Sequence, residues 1–176
     1  MGYELSAFIA RQGTFLPFRE LSDRITVAPL EQGFELLLHD MILREALNIS
    51  YDESADESKD LPLDRAMIEK ATEWSQKTPI SYVEAEFLGG NGYQHAALWR
   101  SGALALLPSA NGEWFQHHHV SKHERPINSV LRVLGVLAGN SEDEFAALGL
   151  NRYRDPSDWF EAFTPYSSGD YDPYLL

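Results

Sequence analysis

The residues of this sequence best suited to chemistry form a histidine cluster at positions 117–119 and 123. Imidazole is the commonest protein ligand for metal ions, and His117 and His119 would share one face of an extended strand. His123 could add a third ligand, as a small metal-dependent hydrolase would require. The spacing, however, matches neither HExxH nor another zinc signature, and the chain has no cysteine. We therefore expect a polar edge or loop here, with no metal and no cofactor.

The region after residue 80 predicts a β-hairpin. Two segments with strand-like composition, 82–88 and 93–99, flank the sequence Gly89-Gly90-Asn91-Gly92. Glycine and asparagine adopt positive φ at the least cost, so a tight turn is expected there. A phosphate-binding loop is not expected, because no lysine and no helix N-terminus follows. No serine lies in a GxSxG or SxxK motif, so nucleophilic catalysis has no motif either.

Polar side chains on this hairpin form a second candidate site. Because side chains alternate along a strand, Tyr82, Glu84 and Glu86 are expected on one face, with His95 on the neighbouring strand. Two carboxylates about 7 Å apart could serve as general acid and base. The alternative is the solvated face of a sheet whose opposite residues pack inward: Val83, Ala85 and Phe87. We expect the solvated face, with partner binding as its functional alternative.

The net charge of −13 is concentrated in two segments. Residues 52–60 contain five acids and one lysine, and residues 141–176 contain eight acids and two arginines. Such a surface repels nucleic acid and anionic lipid and attracts a basic protein, although acidic residues also simply keep proteins soluble. We therefore expect neither nucleic acid nor a membrane as a partner.

The acidic segments supply the remaining candidate binding residues. Residues 51–60 are expected to form a loop, and residues 164–176 a tail that mixes acids with aromatic side chains. The composition of the tail suits docking onto a basic partner and equally suits packing against its own domain. Beyond the hairpin, the residues expected to contact a partner are Asp52, Glu53, Asp56, Glu57, Tyr171 and Tyr174.

The elements that must position these residues indicate a single α+β domain over residues 1–176. The length and an apolar fraction of 44% suit one core. With the hairpin, short β-type segments predict an antiparallel or mixed sheet of about five or six strands: 3–10, 24–27 and 103–107. Apolar residues at helical spacing predict four helices and one last helical turn: 38–47, 63–77, 127–137 and 142–148, then 158–163.

Local signals predict where these helices begin and end. Pro62 is expected near the first turn of the second helix, where a missing N–H does no harm. Ser141 and Glu144 have the spacing of a capping box, with Ser141 as the N-cap. Gly149 is the natural residue after the last turn of that helix, and Gly135 is one of two glycines that could end the helix before it.

The sequence also favours a cytoplasmic location. The N-terminus lacks the basic region and cleavage site of a signal peptide. No run approaches the roughly 18 apolar residues that a membrane-spanning helix needs. The absence of cysteine removes disulfides and thiolate chemistry.

Two segments resemble a known group of proteins. In residues 86–99, an aromatic residue precedes two glycines, a Gly-x-Gln step follows, and a strand of small apolar residues ends at Trp99. Together with 127–136 and 143–150, this pattern resembles small bacterial immunity-type proteins of polymorphic toxin systems, mainly over residues 80–160. The resemblance implies a non-enzymatic cytoplasmic protein that neutralises a cognate toxin, for example a basic nuclease. The alternatives are a structural or regulatory interaction domain and the metal-dependent hydrolase.

The histidine cluster gives a direct test. Tag-free protein is expected to contain well under one transition-metal ion per chain. The histidines lack signature spacing, and the sequence identifies no hydrogen-bond partners that would orient them as ligands. Elemental analysis measures this. One zinc ion per chain, lost together with a change in melting temperature in the variant His117→Ala/His119→Ala, would contradict the expectation.

Overall fold

An antiparallel sheet lies at the centre of the protein. The structure, a computed structural model, describes residues 2–50, 61–88, 91–108, 121–166 and 168–172. These residues form six strands: β1 Tyr3–Arg11, β2 Val27–Pro29, β3 Phe34–Leu38, β4 Ile80–Leu88, β5 Asn91–Arg100 and β6 Ala103–Leu106. Their order in the sheet is β2-β3-β1-β4-β5-β6. The expected single α+β domain, with a sheet that contains the hairpin, is confirmed.

Helices cover both faces of this sheet. The described residues form five α-helices: α1 Met41–Ala46, α2 Arg65–Trp74, α3 Pro126–Leu134, α4 Glu144–Leu148 and α5 Pro156–Phe163. Side chains of α3, α4 and α5 pack on the first face, which carries Leu5, Ala7 and Ile9 of β1. Side chains of α1 and α2 pack on the second face, which carries Phe8 and Ala10. In the described part of the chain, no helix combines the length and the apolar character needed to cross a membrane.

The first predicted helix is wrong in its first turn, because β3 continues through Leu38. The apolar run Phe34–Leu38 is buried at every position, as in a strand that is covered on both faces. A short apolar run of this kind fits a buried strand and a helix equally well in the sequence. Helix α1 then begins after Asp40, whose carboxylate accepts a hydrogen bond from the Leu43 amide at 2.9 Å.

Two further boundaries differ from the sequence prediction. The second helix, expected over 63–77, spans Arg65–Trp74, because Asp64 caps it and accepts from the Met67 amide at 2.9 Å. Pro62 lies two residues before this N-cap, near the first turn as expected. The strand expected over 24–27 instead spans Val27–Pro29. Proline is tolerated there because β2, at the edge of the sheet formed by the described strands, pairs with β3 alone among them.

The glycines predicted to end α3 and α4 are correct, whereas the predicted N-cap of α4 is wrong. Gly135 and Gly149 end α3 and α4 in the left-handed region, with φ of 103° and 85°, so the two expected C-terminal glycines are confirmed. The N-cap of α4, however, is Asp143 and not Ser141. The Asp143 carboxylate accepts from the Ala146 amide at 2.8 Å. Glu144 turns inward instead of closing a capping box and pairs with Arg132 at 2.8 Å.

The N-cap assignment predicts a difference between two substitutions. Asp143→Ala is expected to lower the free energy of unfolding by about 1 kcal/mol, because the Ala146 amide loses its acceptor. The control Ser141→Ala, at an exposed position two residues away, should change it by less than about 0.5 kcal/mol. Urea titration monitored by circular dichroism measures both. A larger loss for Ser141→Ala would restore the original capping assignment.

Candidate functional site

The core on the second face of the sheet ends at a row formed by Phe8, Tyr82 and Ala97, which are paired across β1, β4 and β5. The next two rows along the same strands are polar. We call them the acidic sheet end: Ser6, Glu84 and His95, then Glu4, Glu86 and Tyr93. The sequence predicted three of these residues together, and the structure brings Glu84, Glu86 and His95 onto one face as expected.

Like charges face each other at the acidic sheet end. Glu4 lies directly opposite Glu86 in the β1–β4 register, and both side chains are exposed. Opposed carboxylates of this kind destabilise a sheet. Burial raises the pKa of Glu4, and the charges of Glu86 and Asp155 raise it further. The two carboxylates therefore repel each other in the free protein.

Tyr93 and His95 add aromatic surface beside these carboxylates. Both are half-buried, and their rings lie 5.3 Å apart. Burial raises the pKa of Tyr93, and the charges of Glu84 and Glu86 raise it further, together with the hydrogen bonds that these carboxylates accept. The phenol therefore stays neutral and acts as a donor between the two glutamates.

A shallow cavity of about 410 Å³ opens beside the acidic sheet end, where β1 begins and β4 ends. Glu4 and Glu86 contribute to its wall, and residues near the start of α5 complete it: Arg154, Asp155 and Asp158. Phe87 and Leu88 supply apolar surface to the same cavity, and Leu88 is 65% exposed. Carboxylates and exposed apolar side chains thus share one concave surface.

Tyr82 shares the face of Glu84 and Glu86, as the alternation predicted. Its side chain is fully buried rather than solvated, because α1 and α2 cover this part of the second face. Its hydroxyl donates a short hydrogen bond to Glu84 Oε2 and lies 2.9 Å from Ser6 Oγ. Ser6 Oγ in turn lies 3.0 Å from His39 Nδ1. The inward orientation of Val83, Ala85 and Phe87 is confirmed, with Phe87 half-buried.

No pattern in the sequence singles out Ser6 and His39. They are 33 positions apart, and Ser6 and Tyr82 are 76 apart, so no local spacing links them. The backbone joins them because the His39 amide donates to the Ser6 carbonyl at 2.9 Å, just beyond the β1–β3 ladder.

His39 and Asp40 have pKa values shifted in opposite directions. Burial lowers the pKa of His39 to about 4; the charge of Arg44 acts in the same direction, and that of Asp64 opposes it. Burial raises the pKa of Asp40 to about 6. Amide hydrogen bonds, a hydrogen bond from Tyr171 and the charge of Arg24 limit that rise. At neutral pH His39 is therefore uncharged and Asp40 is largely ionised.

The described part of the tail packs against its own domain. The ring of Tyr171 lies 4.9 Å from that of Phe160, and the Asp170 carbonyl accepts from Arg24 at 3.1 Å. The Tyr166 hydroxyl donates to Asp23 at 3.2 Å. Of the two roles that the composition left open for the tail, Tyr171 shows intramolecular packing.

Several predicted site residues lie outside the described residues: Asp52, Glu53, Asp56, Glu57, Tyr174, His117 and His119. Their roles stay predictions. The backbone of His123 lies in a 3₁₀ turn over Lys122–Glu124. Among the described residues, no three His, Cys, Asp or Glu side chains are grouped so that they could hold a metal ion.

Comparisons with known proteins give no relative for this chain: no family model matches it, and no curated protein or solved structure matches it.

The shifts of His39 and Asp40 predict opposing contributions to stability over one pH range. The pKa of His39 is lower in the folded state than in the unfolded state, so His39 makes the free energy of unfolding fall as pH falls from 6.5 through about 4. The pKa of Asp40 is higher in the folded state than in the unfolded state, so Asp40 makes the free energy of unfolding fall as pH rises from 3.8 through about 6. In the wild-type protein the two largely offset each other.

Asp40→Asn is expected to expose the contribution of His39 alone, because asparagine also serves as an N-cap. The free energy of unfolding of this variant should rise with pH between about 4 and 6.5 more than that of the wild type, by on the order of 3 kcal/mol. Urea titrations across this range measure it, and adding His39→Gln should flatten the profile. Parallel profiles for wild type and Asp40→Asn would refute the opposing shifts.

Proposed function

We propose that this protein is a non-enzymatic binding protein that holds a basic protein partner at the acidic sheet end, as an immunity protein holds its toxin. The observation that carries the proposal is the repulsion between Glu4 and Glu86, with Asp155 close enough to raise the pKa of Glu4. Water screens most of this repulsion in the free protein, but the arrangement stays unfavourable until a cation approaches. A lysine or arginine placed between the carboxylates would remove the repulsion, so the acidic sheet end favours a cationic partner.

The neighbouring surface has the composition of a protein interface. Tyr93 is half-buried, and Leu88 is 65% exposed beside the concave surface. Aromatic and aliphatic side chains that become buried on binding usually carry most of the affinity, and charges at the rim carry less. Tyr93 and Leu88, which lie on the same sheet face as the two glutamates, are therefore the proposed anchors, with Glu4 and Glu86 at the rim.

The overall charge favours the same class of partner. A net charge of −13 accelerates the encounter with a basic protein and opposes binding to nucleic acid or anionic membranes. The acidic segment at 52–60 adds to this long-range field wherever it lies, because steering depends on summed charge. A basic toxin domain, such as a nuclease, is the partner that we propose, with the cytoplasm as the compartment where the two meet.

A structural or regulatory interaction domain is the alternative, and it differs in what binding does. An immunity protein abolishes the toxic activity of its partner, whereas a regulatory domain leaves its partner active or relocates it. A growth assay with the partner expressed alone and together with this protein separates the two, since only neutralisation restores growth.

Removing the carboxylates of the acidic sheet end should slow association. The triple variant Glu4→Gln/Glu84→Gln/Glu86→Gln is expected to reduce the association rate with the basic partner about tenfold at low salt. The matched control neutralises three exposed carboxylates on α1, α2 and α5: Glu45→Gln/Glu69→Gln/Glu161→Gln. It removes the same net charge and should slow association only about twofold. The partner is first captured from the source organism, and stopped-flow kinetics at two salt concentrations follow.

The loop residues provide an independent comparison. Neutralising Asp52, Glu53, Asp56 and Glu57 should slow association several-fold and leave dissociation unchanged, because steering charges act before contact. Equal rates for the acidic-sheet-end variant and its matched control would show that this surface does not bind the partner. Rates that do not depend on salt would show that the charge does not steer the encounter.

A further inference from the structure

We infer that Glu84 is the specificity-determining carboxylate of the acidic sheet end, held in place by a buried chain of hydrogen bonds from His39 through Ser6 and Tyr82. This inference rests on the proposed function and adds a division of roles within the site. Glu4 and Glu86 are exposed, and Glu86 accepts from the half-buried Tyr93, so both have more room to move than Glu84. Glu84 is half-buried and accepts from the fully buried Tyr82.

With Glu84 ionised, only one arrangement of protons lets all three contacts form hydrogen bonds. A carboxylate only accepts, so the Tyr82 hydroxyl must donate its single proton to Glu84. Ser6 Oγ lies 2.9 Å from the Tyr82 oxygen, and a hydrogen bond there requires Ser6 to donate. Ser6 has then used its proton, so the 3.0 Å contact with His39 requires a proton on Nδ1 of the imidazole. The chain therefore runs from His39 to Ser6, to Tyr82 and to Glu84, with every donor pointing toward the carboxylate.

The surroundings of His39 agree with this tautomer. Its Nε2 is buried and has no hydrogen-bond partner among the described residues. A proton on Nε2 would be a buried, unsatisfied donor, whereas a bare lone pair there costs less. The rings of Phe8 and Tyr82 meet the imidazole edge-on at 5.7 Å and fix its plane.

The same arrangement of protons gives the hydrogen-bond chain a role in positioning Glu84 and not in nucleophilic catalysis. A histidine can activate a serine only if the nitrogen facing the hydroxyl is free to take its proton. Here that nitrogen carries a proton and donates it to Ser6. The serine is also turned toward Tyr82, inside the sheet face, and is not aimed at solvent.

Positioning changes what Glu84 contributes to binding. A glutamate held by a buried donor loses less side-chain freedom when a cation binds than an exposed glutamate does. A guanidinium or ammonium group of the partner therefore meets a carboxylate of fixed direction at Glu84 and movable carboxylates at Glu4 and Glu86. Glu84 thus discriminates between orientations of the partner, while the other two attract it.

The hydrogen-bond chain can be observed without any partner. Nitrogen-15 NMR of histidine distinguishes protonated from bare ring nitrogens, and His39 is expected to show a protonated Nδ1 and a bare Nε2 at neutral pH. Tyr82→Phe breaks the hydrogen-bond chain at Tyr82, because it keeps the buried ring and removes only the hydroxyl. Ser6→Ala breaks the hydrogen-bond chain one step earlier and serves as the second variant if Tyr82→Phe does not fold. A His39 protonated at Nε2 in the wild type would overturn the assigned chain.

Binding is tested with a defined probe, a synthetic peptide of alternating arginine and serine, titrated at several salt concentrations. Tyr82→Phe and Ser6→Ala should each weaken binding about fivefold without changing its salt dependence, because they remove a hydrogen bond and no charge. Glu86→Gln should weaken binding and reduce the salt dependence. In the double variant Tyr82→Phe/Glu84→Gln, the tyrosine substitution should add nothing to the effect of Glu84→Gln, because the two residues act as one unit.

The outcomes separate this inference from the proposed function. Additive effects of Tyr82→Phe and Glu84→Gln, or unchanged binding by Tyr82→Phe, would overturn the positioning of Glu84 while the acidic sheet end stayed the binding surface. If the triple glutamine variant of this surface bound the peptide as its matched control does, the proposed function would fail, and the role of Glu84 with it.

Discussion

The structure depends on the burial of β1 on both of its faces. This strand hydrogen-bonds to β3 on one side and to β4 on the other, and its apolar residues alternate between the two cores. A strand in this position requires helices on both sides of the sheet, because neither face can remain in water. Only the first residues of β1 escape this requirement: Glu4 and Ser6 extend beyond the core of the second face. The candidate site therefore lies where the second core ends.

Two buried charged groups elsewhere in the described structure have partners of opposite charge or a hydrogen-bond donor, in contrast to the opposed carboxylates of the acidic sheet end. Arg44 pairs with Asp64 at 2.5 Å, and both side chains are largely buried. Glu35, also buried, accepts from the Phe15 amide at 2.5 Å. Buried charges that lack such partners cost several kcal/mol. The exposed carboxylates of Glu4 and Glu86 tolerate mutual repulsion because water screens it, so the arrangement costs little in the free protein and still favours a cationic partner.

The hydrogen-bonded chain links this surface to the interior of the protein. Tyr82 belongs to the second core through its ring and to the acidic sheet end through its hydroxyl. Packing around the ring therefore also fixes the direction of a surface carboxylate. A side chain with an apolar body and a polar end is suited to this position, because it needs burial and a hydrogen-bond partner at once. The neighbouring His39 stays uncharged at neutral pH because burial lowers its pKa to about 4.

The sequence by itself determined the features that depend on neighbours along the chain. The hairpin, the first strand, the glycines after α3 and α4, and the shared face of Glu84 and Glu86 all follow from alternation or positive φ. Tertiary structure decided the rest. Leu38 joined strand β3 instead of the first helix because β1 and β2 flank that strand. Asp143 became the N-cap that accepts from the Ala146 amide, while Asn128 accepted the preceding amide, that of Phe145, at 2.9 Å. Tyr82 is buried because helices cover its part of the sheet face, and Ser6 contacts His39 because strand register brings together residues that are dozens of positions apart. Local patterns carry no information about such register, since burial and pairing are settled only when the sheet and its helices assemble.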